Sequence, residues 1–218
     1  MYLYNAQNII KERIKLAEEI LADIPTKYCF ISGSFLYKEK FNDIDVFVIS
    51  RTKKTLQSAN KKVKITIIDF NDLYSLFYHS ISKSCIAKSI LPEKPLKVTT
   101  ADYWQVLNEA VPTLLNEKKK YHKDVRFLIL YTEYFKTRTI LDSFELNEKI
   151  GGFKSYKEIL DYIGREVPAI IKKRNKKSYL RRFFYTQAGY YKDIKDQYDA
   201  QNILYNLTHA ITRGVARG

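Results

Sequence analysis

The sequence predicts an α+β protein: a small mixed β-sheet with helices over residues 1–95, then an all-α helical bundle over residues 96–218. Three observations carry this reading. Strand-like segments gather before residue 71. From Thr99 onward the apolar residues keep helical spacing, with little strand signal. Between the two lies LPEKPLK, residues 91–97, whose two prolines mark a boundary. The chain has 218 residues, 45% of them hydrophobic, which suffices for packed cores.

The elements follow in order. Residues 5–22 carry Ile9, Ile10, Ile14, Ala17, Ile20 and Leu21 near the i, i+4, i+7 rhythm of an amphipathic helix, and Pro25 stops it. KYCFIS (27–32), DIDVFVI (43–49) and VKITIIDF (63–70) read as strands. Asn71 or Asp72 can cap a helix through LYSLFYHS. Beyond the boundary, segments 101–116, 119–140, 155–164, 167–174, 177–195 and 198–213 have helical spacing. Gly151 and Gly152 make a break, and Ser155 with Glu158 matches a capping box after it.

No apolar run approaches the roughly 18 residues that cross a bilayer. The N-terminal stretch lacks the basic flank, apolar block and cleavage site of a secretory signal. Cys29 and Cys85 form neither a disulfide framework nor a metal-spaced pair, and Cys29 in YCFI reads as a buried thiol. A cytoplasmic location is the simplest expectation.

The stretch with most chemistry is GSFLYKEKFNDIDVFV, residues 33–48. In a strand, alternate residues share a face. Asp43 and Asp45 therefore lie beside each other with Phe41 and Phe47, while Ile44, Val46 and Val48 make the expected core face. Adjacent carboxylates repel unless compensated. Mg²⁺ (or Mn²⁺) is the usual compensation, held by one or two carboxylates plus substrate phosphates. Gly33 lets the backbone approach a phosphate closely, and Ser34 offers a hydroxyl and an N–H to it. The competing reading is a solvated polar strand edge behind a turn.

Ile31-Ser32-Gly33-Ser34, a spacer, then Asn42-Asp43-Ile44-Asp45-Val46 resembles the motif of the nucleotidyltransferase superfamily related to DNA polymerase beta. The likeness covers roughly residues 27–70. It implies that residues 1–95 form a catalytic domain of that fold, with the helical domain behind it. It also implies transfer of a nucleoside monophosphate from an NTP such as ATP, with Asp43 and Asp45 as metal ligands and Gly33 and Ser34 at the phosphates. The family draws a third acidic residue from the next long strand, here VKITIIDF. That segment looks like the corresponding strand of aminoglycoside adenylyltransferases, and on that alignment Lys64 occupies the acidic position. Parity directs Lys64, Thr66 and Ile68 to the site and Val63, Ile65 and Ile67 to the core. Asp69 is the candidate third catalytic carboxylate: parity puts it on the other face at the far end of the strand, where a bulge could turn it and where parity does not fix the face. Capping before the following helix competes for it. Lys64 can neutralise triphosphate charge or stand in for one metal. In the spacer, Lys38 and Lys40 are candidate phosphate contacts, with plain solvation as the alternative.

The formal net charge is +14. Residues 1–109 hold 16 basic and 12 acidic side chains, and residues 110–218 hold 22 and 12. The basic excess thus belongs to the C-terminal half. Within it, Lys172, Lys173, Arg174, Lys176, Lys177, Arg181 and Arg182 are mixed with Tyr179, Phe183, Phe184, Tyr185, Tyr190 and Tyr191. Cations for phosphates and rings for bases suit single-stranded nucleic acid. An amphipathic helix with a basic outer face is the structural alternative. A polycationic aminoglycoside acceptor is disfavoured by this charge, and an RNA or tRNA end is favoured. An inactive member that binds nucleotide or RNA, or a toxin–antitoxin or interaction module, stands as the alternative. The histidines His79, His122 and His209 form no ligand pattern.

Overall fold

The polar turn after Ser32 and the two carboxylates of 43–45 are brought together by a five-stranded sheet. The computed structural model describes residues 1–52, 56, 58, 60–116 and 119–174. The strands are β1 (Tyr2–Tyr4), β2 (Cys29–Ser32), β3 (Ile44–Ile49), β4 (Val63–Ile68) and β5 (Cys85–Ala87). Their order in the sheet is β1-β5-β2-β3-β4. Every pairing is antiparallel except β3 with β4, which is parallel. The architecture is mixed α+β.

The described residues divide into two compact units, one of Met1–Val98 with Ile140–Glu148, the other of Thr99–Thr139 with residues 149–174. The first unit contains the sheet. Helix α1 (Lys11–Asp23) places Ala17, Ile20 and Leu21 against Ile31, Val46, Val48 and Ile86 on one sheet face. Helix α2 (Leu76–Lys83) places Tyr78 and Ile81 against Phe30, Phe47, Ile49 and Ile68 on the other. Ser75 caps α2, its hydroxyl accepting the Tyr78 N–H at 3.1 Å. The sequence marked Asn71 or Asp72 as that cap, but these residues belong to a separate 3-10 turn, Asp72–Tyr74.

Only one face of the 43–49 segment was expected in the core. Both are buried: Phe47 and Ile49 are 7% and 4% exposed. The reason is position. β3 lies between β2 and β4, and a helix covers each side of the sheet. Asp45 is thus the one polar residue in a strand otherwise buried throughout.

The second unit holds α3 (Thr100–Asn116), α4 (Lys123–Thr137) and α6 (Tyr156–Arg174). The Tyr103 ring of α3 stacks on Phe135 of α4 at 4.9 Å, and its hydroxyl lies 3.0 Å from Thr132 Oγ1. The segments 155–164 and 167–174, read as two from spacing, join in one helix, Tyr156–Arg174, which continues through Pro168. Ser155 caps it by accepting the Glu158 N–H at 3.3 Å, and Glu158 accepts the Lys154 N–H at 2.8 Å. Helix α5 (Ser143–Gly151) begins in the first unit and ends in the second. Segments 177–195 and 198–213 lie outside the described residues. Among the described residues no helix is long and apolar enough to cross a membrane.

Candidate functional site at the Gly33 turn and the start of β3

β2 delivers Ser32, and the chain then reverses at Gly33. Its φ of 95° and ψ of −167° belong to a region that only glycine occupies without strain. A Cβ on Gly33 would come within 3.1 Å of the Asp45 Oδ2. The absent side chain therefore lets the turn lie directly against the Asp45 carboxylate. Residues Ser34–Leu36 continue as a 3-10 turn, with the Leu36 N–H donating to the Gly33 carbonyl at 3.1 Å and the Lys38 N–H to the Ser34 carbonyl at 2.8 Å. Ser34 is half-buried at the head of this turn.

The turn is held from beneath. Ser32 Oγ is fully buried, donates to the Ser84 carbonyl at 3.2 Å and lies 3.3 Å from Ser143 Oγ. The Tyr37 hydroxyl donates to the Ser143 carbonyl at 3.0 Å, and Asn147 donates to the same carbonyl at 2.6 Å and to the Tyr37 hydroxyl. Within the core beside the turn, buried Phe35 and half-buried Phe41 meet edge to face at 5.1 Å, with the Arg13 guanidinium 4.5 Å from the Phe41 centroid. Sequence reasoning missed Arg13, Tyr37, Ser143 and Asn147. They act across the fold, and no local pattern announces such pairs. Lys38 and Lys40 are both exposed.

Register then assembles the charged cluster. Asp45 pairs with Ser32 on one side and with Lys64 on the other. Lys64 thus lies on the carboxylate face, as parity required, and its ammonium donates to Asp43 Oδ2. The Lys64 side chain is 66% exposed and that of Asp43 27%. The bond to Asp43 and its charge, with a smaller contribution from Asp45, raise the ammonium above its ordinary 10.5. The cluster is two carboxylates and one cation, beside a turn without a Cβ.

No family model, curated protein or solved structure matches this chain.

Asp69 is not part of the cluster. It follows β4 at the opposite end from Lys64, roughly 16 Å away along an extended strand. No bulge interrupts the register from Ile44↔Val63 to Ile49↔Ile68, so nothing turns it back. Its carboxylate accepts the Asn71 N–H at 2.9 Å and its own N–H donates to Asp72 Oδ2 at 3.2 Å. Asp69 therefore caps the turn into α2, the competing use read from the sequence. Among the described residues no three His, Cys, Asp or Glu side chains gather as a metal-ligating group. The acidic set at the site is Asp43 with Asp45. Two carboxylates on one face fit one Mg²⁺ held jointly with nucleotide phosphates.

Both cysteines are free and buried. Lys172, Lys173 and Arg174 end α6. Lys176, Lys177, Arg181 and Arg182 lie outside the described residues.

Proposed function

We propose that this chain is a nucleotidyltransferase of the DNA polymerase beta-like fold, moving a nucleoside monophosphate from an NTP to an acceptor hydroxyl. The observation that carries the reading is the contact of the Gly33 turn with Asp45. A phosphate-approaching turn and a carboxylate pair adjoin, and the geometry at Gly33 leaves space that any side chain would fill. In the reaction, the acceptor oxygen bonds to the α-phosphorus, the α–β P–O bond breaks, pyrophosphate leaves, and the hydroxyl proton passes to water. A Mg²⁺ ion bound by Asp43 and Asp45 with the triphosphate would stabilise the charge that builds on the phosphate oxygens. Gly33 admits the phosphates to the backbone, Ser34 donates its hydroxyl to them, and Lys64 offsets negative charge beside Asp43. The basic excess of residues 110–218 supports an RNA end as acceptor, with the helical unit carrying that contact. A cytoplasmic location accords with two unpaired cysteines.

The Lys64–Asp43 ion pair favours one second reading, an inactive member that retains nucleotide or RNA binding. The two separate in one assay with each α-labelled NTP, Mg²⁺ and total tRNA. Label transfer that is lost in both Asp43→Asn and Asp45→Asn supports the enzyme. Binding of RNA that weakens steeply with salt, without transfer, supports the binder. Neither transfer nor binding sinks both.

A further inference from the structure

The Lys64 ammonium is bonded to one of the two carboxylates of the cluster. β4 runs parallel to β3 and sets Lys64 directly beside Asp45. From there its side chain reaches past Asp45 to Asp43 Oδ2. Of the oxygens the two carboxylates offer, one is thus bonded to the ammonium, and Asp45 Oδ2 faces the Gly33 turn. Two-ion phosphoryl-transfer sites hold their ions about 3.5–4 Å apart. A second dication in this cluster would have to share Asp43 with a tethered positive charge. The strand register fixes the root of that tether beside Asp45, so the ammonium returns to the pair whenever it swings away. Lysine also suits the place of an ion, being a compact point charge without the planar geometry that arginine imposes.

We propose that Lys64 restricts the Asp43–Asp45 cluster to a single divalent cation per bound nucleotide, its ammonium taking the charge-balancing place of a second ion. This rests on the nucleotide-binding reading above and adds the metal stoichiometry to it.

The test is electron paramagnetic resonance of Mn²⁺ on the full chain. The four α,β-methylene nucleoside triphosphates are each added in turn, which permits binding without transfer. The wild-type protein is expected to show one uncoupled Mn²⁺ per bound nucleotide. Lys64→Glu is expected to show a spin-coupled Mn²⁺ pair. Should that variant fail to fold, Lys64→Met is read instead, with Mn²⁺ binding expected to tighten roughly tenfold as the repelling charge goes. A coupled pair in the wild type overturns the proposal, because the nucleotide would then have displaced Lys64 to admit a second ion. So does a Lys64→Glu signal that stays single, or Lys64→Met affinity equal to wild type. Nucleotide-dependent Mn²⁺ binding absent from wild type and both variants overturns the nucleotide-binding reading itself, and this proposal with it.

Discussion

Gly33 concentrates two constraints in one residue. Its backbone angles are open only to glycine, and its missing Cβ leaves room for Asp45. Gly33→Ala is therefore expected to lower stability by about 1–3 kcal/mol. It should also weaken NTP binding more than this loss accounts for, because the methyl group would push the Asp45 carboxylate. Denaturant titration together with nucleotide titration at low temperature checks both parts. An alanine variant with unchanged stability would show that the turn relaxes freely. Glu145 gives a second residue-scale expectation. Burial raises its pKa, but the 2.7 Å bond from Lys83, the Asp142 N–H and the Lys83 charge outweigh it, and the net direction is downward from 4.5. A depressed carboxyl adds stability above its unfolded value and loses it as pH falls through the folded value. The stability advantage of wild type over Glu145→Gln should therefore be constant above pH 4.5 and shrink below it. Paired denaturation curves across that range would read it, and an advantage that grows on acidification would contradict the assignment.

At the scale of elements, α4 and α6 are joined by a buried acid. Glu133 is 8% exposed and accepts from the Tyr162 hydroxyl and from Lys149 Nζ at 3.0 Å. Burial, then the Glu133 bond, keep the Tyr162 phenol protonated far above its ordinary range. Tyr162→Phe leaves the carboxylate short of one donor and is expected to cost about 1.5–3 kcal/mol by thermal or denaturant unfolding. The same scale shows what a sequence can display. α1, β3 and β4 were legible because six or more residues repeat one period. β1 and β5 have three residues each, too few for an alternation to stand out. α5 escaped notice for a different reason. Its N-terminal half buries Ser143 and Asn147, polar residues whose partners Ser32 and Tyr37 lie more than a hundred positions away. At the site, the shared face of Asp43, Asp45 and Lys64 followed from parity alone. The role of Asp69 did not, because carboxylates at strand ends serve caps and ligands equally well, and only the local hydrogen bonds separate the two.

For the whole molecule, the informative feature is that the sheet unit is discontinuous in sequence. A fragment ending at Val98 would contain all five strands, α1 and α2, yet lack Ile140–Glu148. Several groups would lose their partners. Ser80 Oγ donates to the Leu141 carbonyl at 2.6 Å, Lys83 to the Ile140 carbonyl at 2.8 Å, and buried Ser32 and half-buried Tyr37 meet Ser143. Residues 1–98 alone are expected to unfold at lower denaturant than the same fragment carrying residues 140–148 on a flexible linker. Circular dichroism of the two fragments makes the comparison, and equal midpoints would rule out a structural role for the returning segment.

That discontinuity also sets a schedule for synthesis. The strands of the sheet unit leave the ribosome first, but Ser143 and Asn147 follow 45 and 49 residues after Val98. At ordinary elongation rates that interval lasts roughly 3–10 s. Throughout it the Gly33 turn lacks the support beneath it, so a nascent chain holds a nearly finished sheet whose proposed nucleotide site cannot yet be set. Competence to bind would then arrive late and abruptly, with the emergence of α5 rather than with the completion of the strands.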